Sequence, residues 1–227
     1  IGAHLQVRSA HLALATRFED ALHRAIAAEL EAHLLEVEHD LGHILDDARE
    51  RRELVQHTVD ADGLPSAPRS RPSAIPTPFG FQFGDRGQVF ISEANGGGSG
   101  AVVSYRVDRD TGVVSKAIDI FSAENAVCWV ALSNDQTVGY ATNTGSASMS
   151  LFTINFRGTM DPLLSGGQTM STGDGPLDLV ITQNGRFLYT LDSADDTISA
   201  FRVSASGGLV PLGTTRVPDG ANGLAAR

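Results

Sequence analysis

Two patterns of apolar residues divide the chain. Leu22, Ile26, Leu30, Leu34, Val37, Leu41, Ile44 and Ala48 follow one another at steps of four and three, the spacing of a single stripe along an α-helix. From residue 79 onward the apolar residues come in runs of three to six, separated by turn residues, as in short strands. The pattern therefore predicts an α+β chain with a helical segment over residues 1–60 and strands over 79–227. A helix of about 50 residues would be roughly 75 Å long at 1.5 Å per residue. It is expected to break, with Thr16-Arg17-Phe18-Glu19 reading as a capping box and Gly42 as a weak point, or else to pair with another chain.

The strand half repeats itself. Three units, spaced about 48 residues apart, open on Pro78-Phe79-Gly80-Phe81-Gln82-Phe83, Cys128-Trp129-Val130-Ala131-Leu132-Ser133 and Pro176-Leu177-Asp178-Leu179-Val180-Ile181. Each continues through a polar turn into a second apolar run: Val89-Phe90-Ile91-Ser92, Gly139-Tyr140-Ala141-Thr142 and Phe187-Leu188-Tyr189-Thr190. Third strands carry Tyr105-Arg106-Val107, Phe152-Thr153-Ile154 and Phe201-Arg202-Val203, and fourth strands lie around Val114, Leu163 and Val210. Four short strands recurring at this length predict three antiparallel β-propeller blades.

Composition sharpens the division. Residues 3–57 hold one glycine, no proline and one aromatic, whereas 21 of the 24 glycines fall in residues 79–227. Residues 61–78 contain five of the nine prolines and read as an extended, semi-rigid linker. A net charge of -10, with Lys116 the sole lysine, argues against nucleic-acid and anionic-membrane partners, which need clustered cations. The lone Cys128 can form neither an internal disulfide nor a thiolate zinc cluster. No apolar run is long enough for a membrane helix and no signal-peptide pattern is present, so a soluble, bacterial-type cytoplasmic protein is expected.

The strings Pro-Phe-Gly-Phe (78–81), Asn-Gly-Arg-Phe-Leu-Tyr-Thr-Leu (184–191), Thr-Ile-Ser-Ala-Phe-Arg-Val (197–203) and Gly-Leu-Val-Pro-Leu-Gly (208–213) resemble the seven-bladed lactonase family of β-propellers, similar to 6-phosphogluconolactonase. The resemblance covers about 150 residues, a C-terminal three-blade piece joined to an unrelated His-rich helical segment. It implies lactone chemistry near a central channel, carried in that family by His, Arg and acidic residues. All seven histidines here precede the blades, so no catalytic residue of the family is carried over. Three blades do not close a ring, and the exposed edges of an open arc need a cover. Two copies stacking into a six-bladed homodimer are expected.

The histidines form the other candidate site. Glu29, His33, Glu36, Asp40, His43 and Asp47 fall within about 80° of one another on a helix. Glu36-x-x-His39-x-x-x-His43 is the tightest cluster, because imidazoles at i and i+4 can reach one divalent ion and a carboxylate a turn earlier can add a ligand or orient a ring. His33, Glu36, His39, His43 and His11 are thus the candidate metal ligands, for zinc, with Glu36 and Asp40 as candidate catalytic bases. This points to a metal-dependent hydrolase acting on an ester, lactone or phosphoester as small-molecule substrate. The same spacing also suits a solvated helix face. The alternatives are a non-catalytic dimeric binding module and a residual propeller lactonase. Gly96-Gly97-Gly98-Ser99-Gly100 reads as a blade loop, Cys128 as a small core residue, and Asp192, Asp195 and Asp196 as a solvated turn that could hold a hard cation.

Overall fold

The computed structural model describes residues 52–165 and 169–226, within a compact unit that runs from Arg49 to Arg227. These residues form strands and turns, with only two three-residue 3-10 turns, Asn95–Gly97 and Thr144–Ser146. The α+β expectation is therefore corrected to all-β for the described residues. The apolar stripe that predicted a helix, Leu22 to Ala48, lies outside them.

Three antiparallel sheets follow in order. Blade A is β3 (Pro78–Gly84), β4 (Gln88–Glu93), β5 (Ser99–Val107) and β6 (Val114–Asn125). Blade B is β7 (Val127–Leu132), β8 (Val138–Asn143) and β9 (Ser148–Ile154), with an outer strand in two pieces, β10 (Met160–Pro162) and β11 (Met170–Ser171). Blade C is β12 (Pro176–Ile181), β13 (Phe187–Asp192), β14 (Thr197–Val203) and β15 (Leu209–Arg216). Neighbours in sequence are neighbours in each sheet, except that β10 and β11 both pair with β9. The first strands β3, β7 and β12 adjoin one another and so form the inner wall of the arc.

The strand pattern produces the cores between sheets. Phe90, Val102, Val130, Leu132, Phe152 and Met160 are buried between blades A and B, and Leu151, Tyr140, Leu179, Leu188 and Phe201 between B and C. A buried side chain of this size stabilises by about 1.5–3 kcal/mol relative to exposure. Fit is tight. A Cβ on Gly139 would stand 2.2 Å from the Phe152 ring, and one on Gly207 2.5 Å from Val138. Gly207 also has φ +80, and its carbonyl accepts a hydrogen bond from Tyr140 Oη at 2.7 Å, which ties the last turn of blade C to β8.

A fourth sheet occupies the segment read as the end of the helix and the linker. β1 (Glu53–Gln56) pairs antiparallel with β2 (Arg69–Pro72), Leu54 opposite Arg71. Leu54, Ala74 and Ile75 pack on Val89, Ile91, Val103 and Tyr105, the face of blade A that points away from blade B. The prolines did suit extended backbone. What local pattern could not supply was the partner strand and the apolar face that hold this backbone as a sheet.

Candidate functional site

The second strand of every blade ends in a fully buried polar residue: Glu93, Asn143 and Asp192. Each satisfies itself locally, as buried polar groups must. Glu93 accepts from Tyr105 Oη and from the Ile75 N–H, both at 2.5 Å. Asn143 Nδ2 donates to the hydroxyls of Ser148 and Ser150, each at 3.0 Å. Asp192 accepts from Thr190 at 2.8 Å and Ser199 at 2.5 Å. Burial pushes the carboxyls of Glu93 and Asp192 above the usual carboxylate range, against the opposing pull of those hydrogen bonds. These residues brace the end of the arc where the inner strands begin.

The same end carries Thr77, Asn95, Ala126, Ala147 and Asp196, five of the six non-glycine residues with positive φ among those described. Such backbone is costly for a side chain and persists where surroundings enforce it. Thr77 and Ala126, with Gly175, stand immediately before β3, β7 and β12, so one repeated bend leads each outer strand to the next inner one.

Along the inner wall at this end lie Phe79, Trp129, Cys128 and Asp178. Phe79 is 51% and Trp129 37% exposed, and their rings meet edge to face at 6.1 Å between centroids. Trp129 lies over Gly80, where a Cβ would come within 2.9 Å of its Cε3. Cys128 is half-buried, and burial raises its thiol pKa, which favours the packing role over a reactive thiolate. Asp178 is also half-buried. Its Oδ1 accepts from the Leu179 N–H and its Oδ2 from the Leu224 N–H, each at 2.7 Å. Burial raises its pKa despite both bonds, so it is a stronger base than a solvated carboxylate. Pattern reading passed over Asp178. The available signal was an acidic residue within an inner-strand run, Pro176-Leu177-Asp178-Leu179.

The sequence-predicted metal and catalytic residues His11, His33, Glu36, Asp40, His39 and His43 lie outside the described residues. His57 is described and exposed, with Nδ1 2.8 Å from the Ser66 carbonyl oxygen. Among the described residues no group of three or more His, Cys, Asp or Glu could hold a metal ion, the Asp192, Asp195 and Asp196 turn included. The glycine run from Gly96 to Gly100 forms the end of the β4–β5 loop and the first two residues of β5. Among the described residues no helix is long and apolar enough to cross a membrane.

Comparison with known proteins agrees with this architecture. Residues 119–222 match the family described as "Lactonase, 7-bladed beta-propeller". No curated protein matches the chain. The structure of the periplasmic gluconolactonase of Pseudomonas aeruginosa superposes with a TM-score of 0.63 at 17% identity, over 75% of this chain and 51% of that one. A candidate 6-phosphogluconolactonase from Bacteroides fragilis gives 0.63 at 16% identity, over 74% and 51%. One from Bacteroides uniformis gives 0.62 at 17%, over 74% and 52%. The described blades are a lactonase-like propeller arc, and the chain spans about half the length of these structures.

Proposed function

We propose that the arc acts on a lactone of the sugar-acid type, with the inner wall as its share of a channel site. The observation that carries this reading is the lactonase match over residues 119–222, which contains Asp178, a raised-pKa carboxyl on the inner strand. In this reading Asp178 takes a proton from water as the water oxygen attacks the lactone carbonyl. The ring C–O bond then breaks, and the alkoxide takes up the proton to leave a hydroxy acid. Phe79 and Trp129, partly exposed on the other two inner strands, offer an apolar ledge for the ring.

The test is the hydrolysis of δ-gluconolactone above its spontaneous rate, with and without chelator. A rate that survives chelator and falls at least tenfold in Asp178→Asn supports the reading. A rate abolished by chelator and restored by zinc would return the chemistry to His33, His39 and His43. Binding without turnover would favour the non-catalytic module, a reading supported by the absence of any histidine from residues 58–227.

A further inference from the structure

In every blade the inner strand carries one residue more than its neighbour at the same point. Pro78 and Phe81 pair with Glu93 and Ile91, Val127 and Val130 with Asn143 and Ala141, and Pro176 and Asp178 with Asp192 and Leu191. Phe79-Gly80, Cys128-Trp129 and Leu177-Asp178 therefore stand opposite the single residues Ser92, Thr142 and Leu191. A bulge of this kind re-aims side chains and is frequent beside active sites. Here it falls on Phe79, Trp129 and Asp178, the residues of the proposed site.

A bulge also frees backbone groups from the ladder, and the blades satisfy them differently. In blade B both polar ends of one peptide group, Cys128–Trp129, are taken by buried hydroxyls. Ser92, on the second strand of blade A, has its Oγ 2.6 Å from the Cys128 carbonyl oxygen. Thr142 Oγ1 accepts from the Trp129 N–H at 3.0 Å. Ser92 and Thr142 are both fully buried. Ser92 Oγ accepts from the Gly80 N–H at 2.8 Å, which leaves its one proton for a carbonyl. The Cys128 oxygen at 2.6 Å is nearer than that of Gly80 at 3.0 Å. One hydroxyl thus joins the bulges of blades A and B. In blade C Leu191 stands where the hydroxyl would be, and the Asp178 carboxylate takes the Leu179 N–H instead.

A peptide group is planar, so bonds at its C=O and at its N–H together fix its orientation. With it they fix the direction in which the Trp129 side chain leaves the strand, toward its contacts with Gly80 and Phe79. We propose that Ser92 and Thr142 are positioning residues, whose hydroxyls clamp the Cys128–Trp129 peptide from two blades and hold the Trp129 ring as a ledge for the lactone. They act through Trp129 and not on the substrate. The inference rests on the proposed lactone site, but the clamp itself is read from Trp129 and needs no turnover.

Ser92→Ala and Thr142→Val each remove one hydroxyl, and Thr142→Ser keeps it. Ser104→Ala is the comparison, because it removes an equally buried bond between blades, to the Gly158 carbonyl at 2.7 Å, on the third strand of blade A. Trp129 is the sole tryptophan, so acrylamide quenching of the full chain reports the clamp, while the hydrolysis of δ-gluconolactone reports the ledge. Expected in Ser92→Ala and Thr142→Val are a quenching constant raised at least twofold and a KM raised at least fivefold with kcat within twofold. Thr142→Ser and Ser104→Ala should keep the parent values. Should Ser92→Ala fail to fold, Thr142→Val and Thr142→Ser form a complete pair.

Unchanged quenching in the hydroxyl-free variants, or the same change in Ser104→Ala, would overturn the clamp. Altered quenching with an unchanged KM would overturn its service to the ledge. A parent that does not hydrolyse the lactone would sink the lactone reading, and the binding of gluconate, followed by Trp129 fluorescence, then takes the place of KM. Fivefold weaker gluconate binding in both hydroxyl-free variants supports the proposal, and equal binding, or none by the parent, overturns it.

Discussion

The face between hairpin and blade A and the face between blades A and B are two versions of one interface, the first formed among the described residues by outer strands alone. Both use an outer-strand side chain to reach the first residue of the next outer strand. Only the complete one buries its inner-strand counterpart, Val130 at 2% against Phe81 at 45%. The comparison teaches that a blade's outer half is enough to fix the polar contacts at the turns, while the apolar seal at the inner wall needs the inner strands.

Truncation of the apolar core should separate the two faces most. Phe152 is fully buried in the A/B core, so Phe152→Ala should cost about 3–5 kcal/mol in urea unfolding. Leu54→Ala, in the hairpin face where the side chain is only partly covered, should cost about 1 kcal/mol. Equal losses would show that the hairpin is as integral as a full blade.

Turn glycines give a finer contrast at one repeated position. Gly207→Ala meets both a positive φ and Val138 at 2.5 Å, whereas Gly63→Ala meets φ +81 with nothing within 4 Å. The first should destabilise by about 2–4 kcal/mol, overpacking added to backbone strain, and the second by about 1–2 kcal/mol from backbone alone. If thermal melts place the two variants together, the turn of blade C is not packed on β8 as described.

The buried carboxyl of Glu93 joins the hairpin face to pH. Its native pKa is raised by burial, so the native state binds its proton more tightly than the unfolded chain does. That contribution is complete below the unfolded carboxylate value of about 4.3 and is lost as pH rises through the native value. Glu93→Gln should therefore flatten the decline in stability between acid and neutral pH. Urea midpoints from pH 4 to 7 with the same slope in both proteins would contradict this. The smallest effect is expected at Phe81→Ser, within about 0.5 kcal/mol of the parent, since that side chain is largely in solvent already.

The three blades were legible because each strand's run of apolar residues recurs with its turn, so period and alternation sufficed. The β1–β2 hairpin was not, although Val59-Asp60-Ala61-Asp62-Gly63 parallels Val107-Asp108-Arg109-Asp110-Thr111-Gly112. Its strands are only four residues each, and the prolines around them read as linker. Asp178 was missed for a related reason. What sets this carboxyl apart, its place on an inner strand and its partial burial, comes from the fold and not from the apolar run around it.

The sequence alone determined the blade repeat, the turns and the lactonase resemblance, since these depend on local alternation and on residues that tolerate special backbone angles. Tertiary structure alone decided that Glu53–Gln56 and Arg69–Pro72 form a sheet and that Phe81 stays exposed while Leu179 does not. It also decided that Asp178 is half-buried on the inner strand of blade C, bonded to the Leu224 N–H. Pairing, burial and pKa all depend on neighbours distant in the chain, and no local pattern carries them.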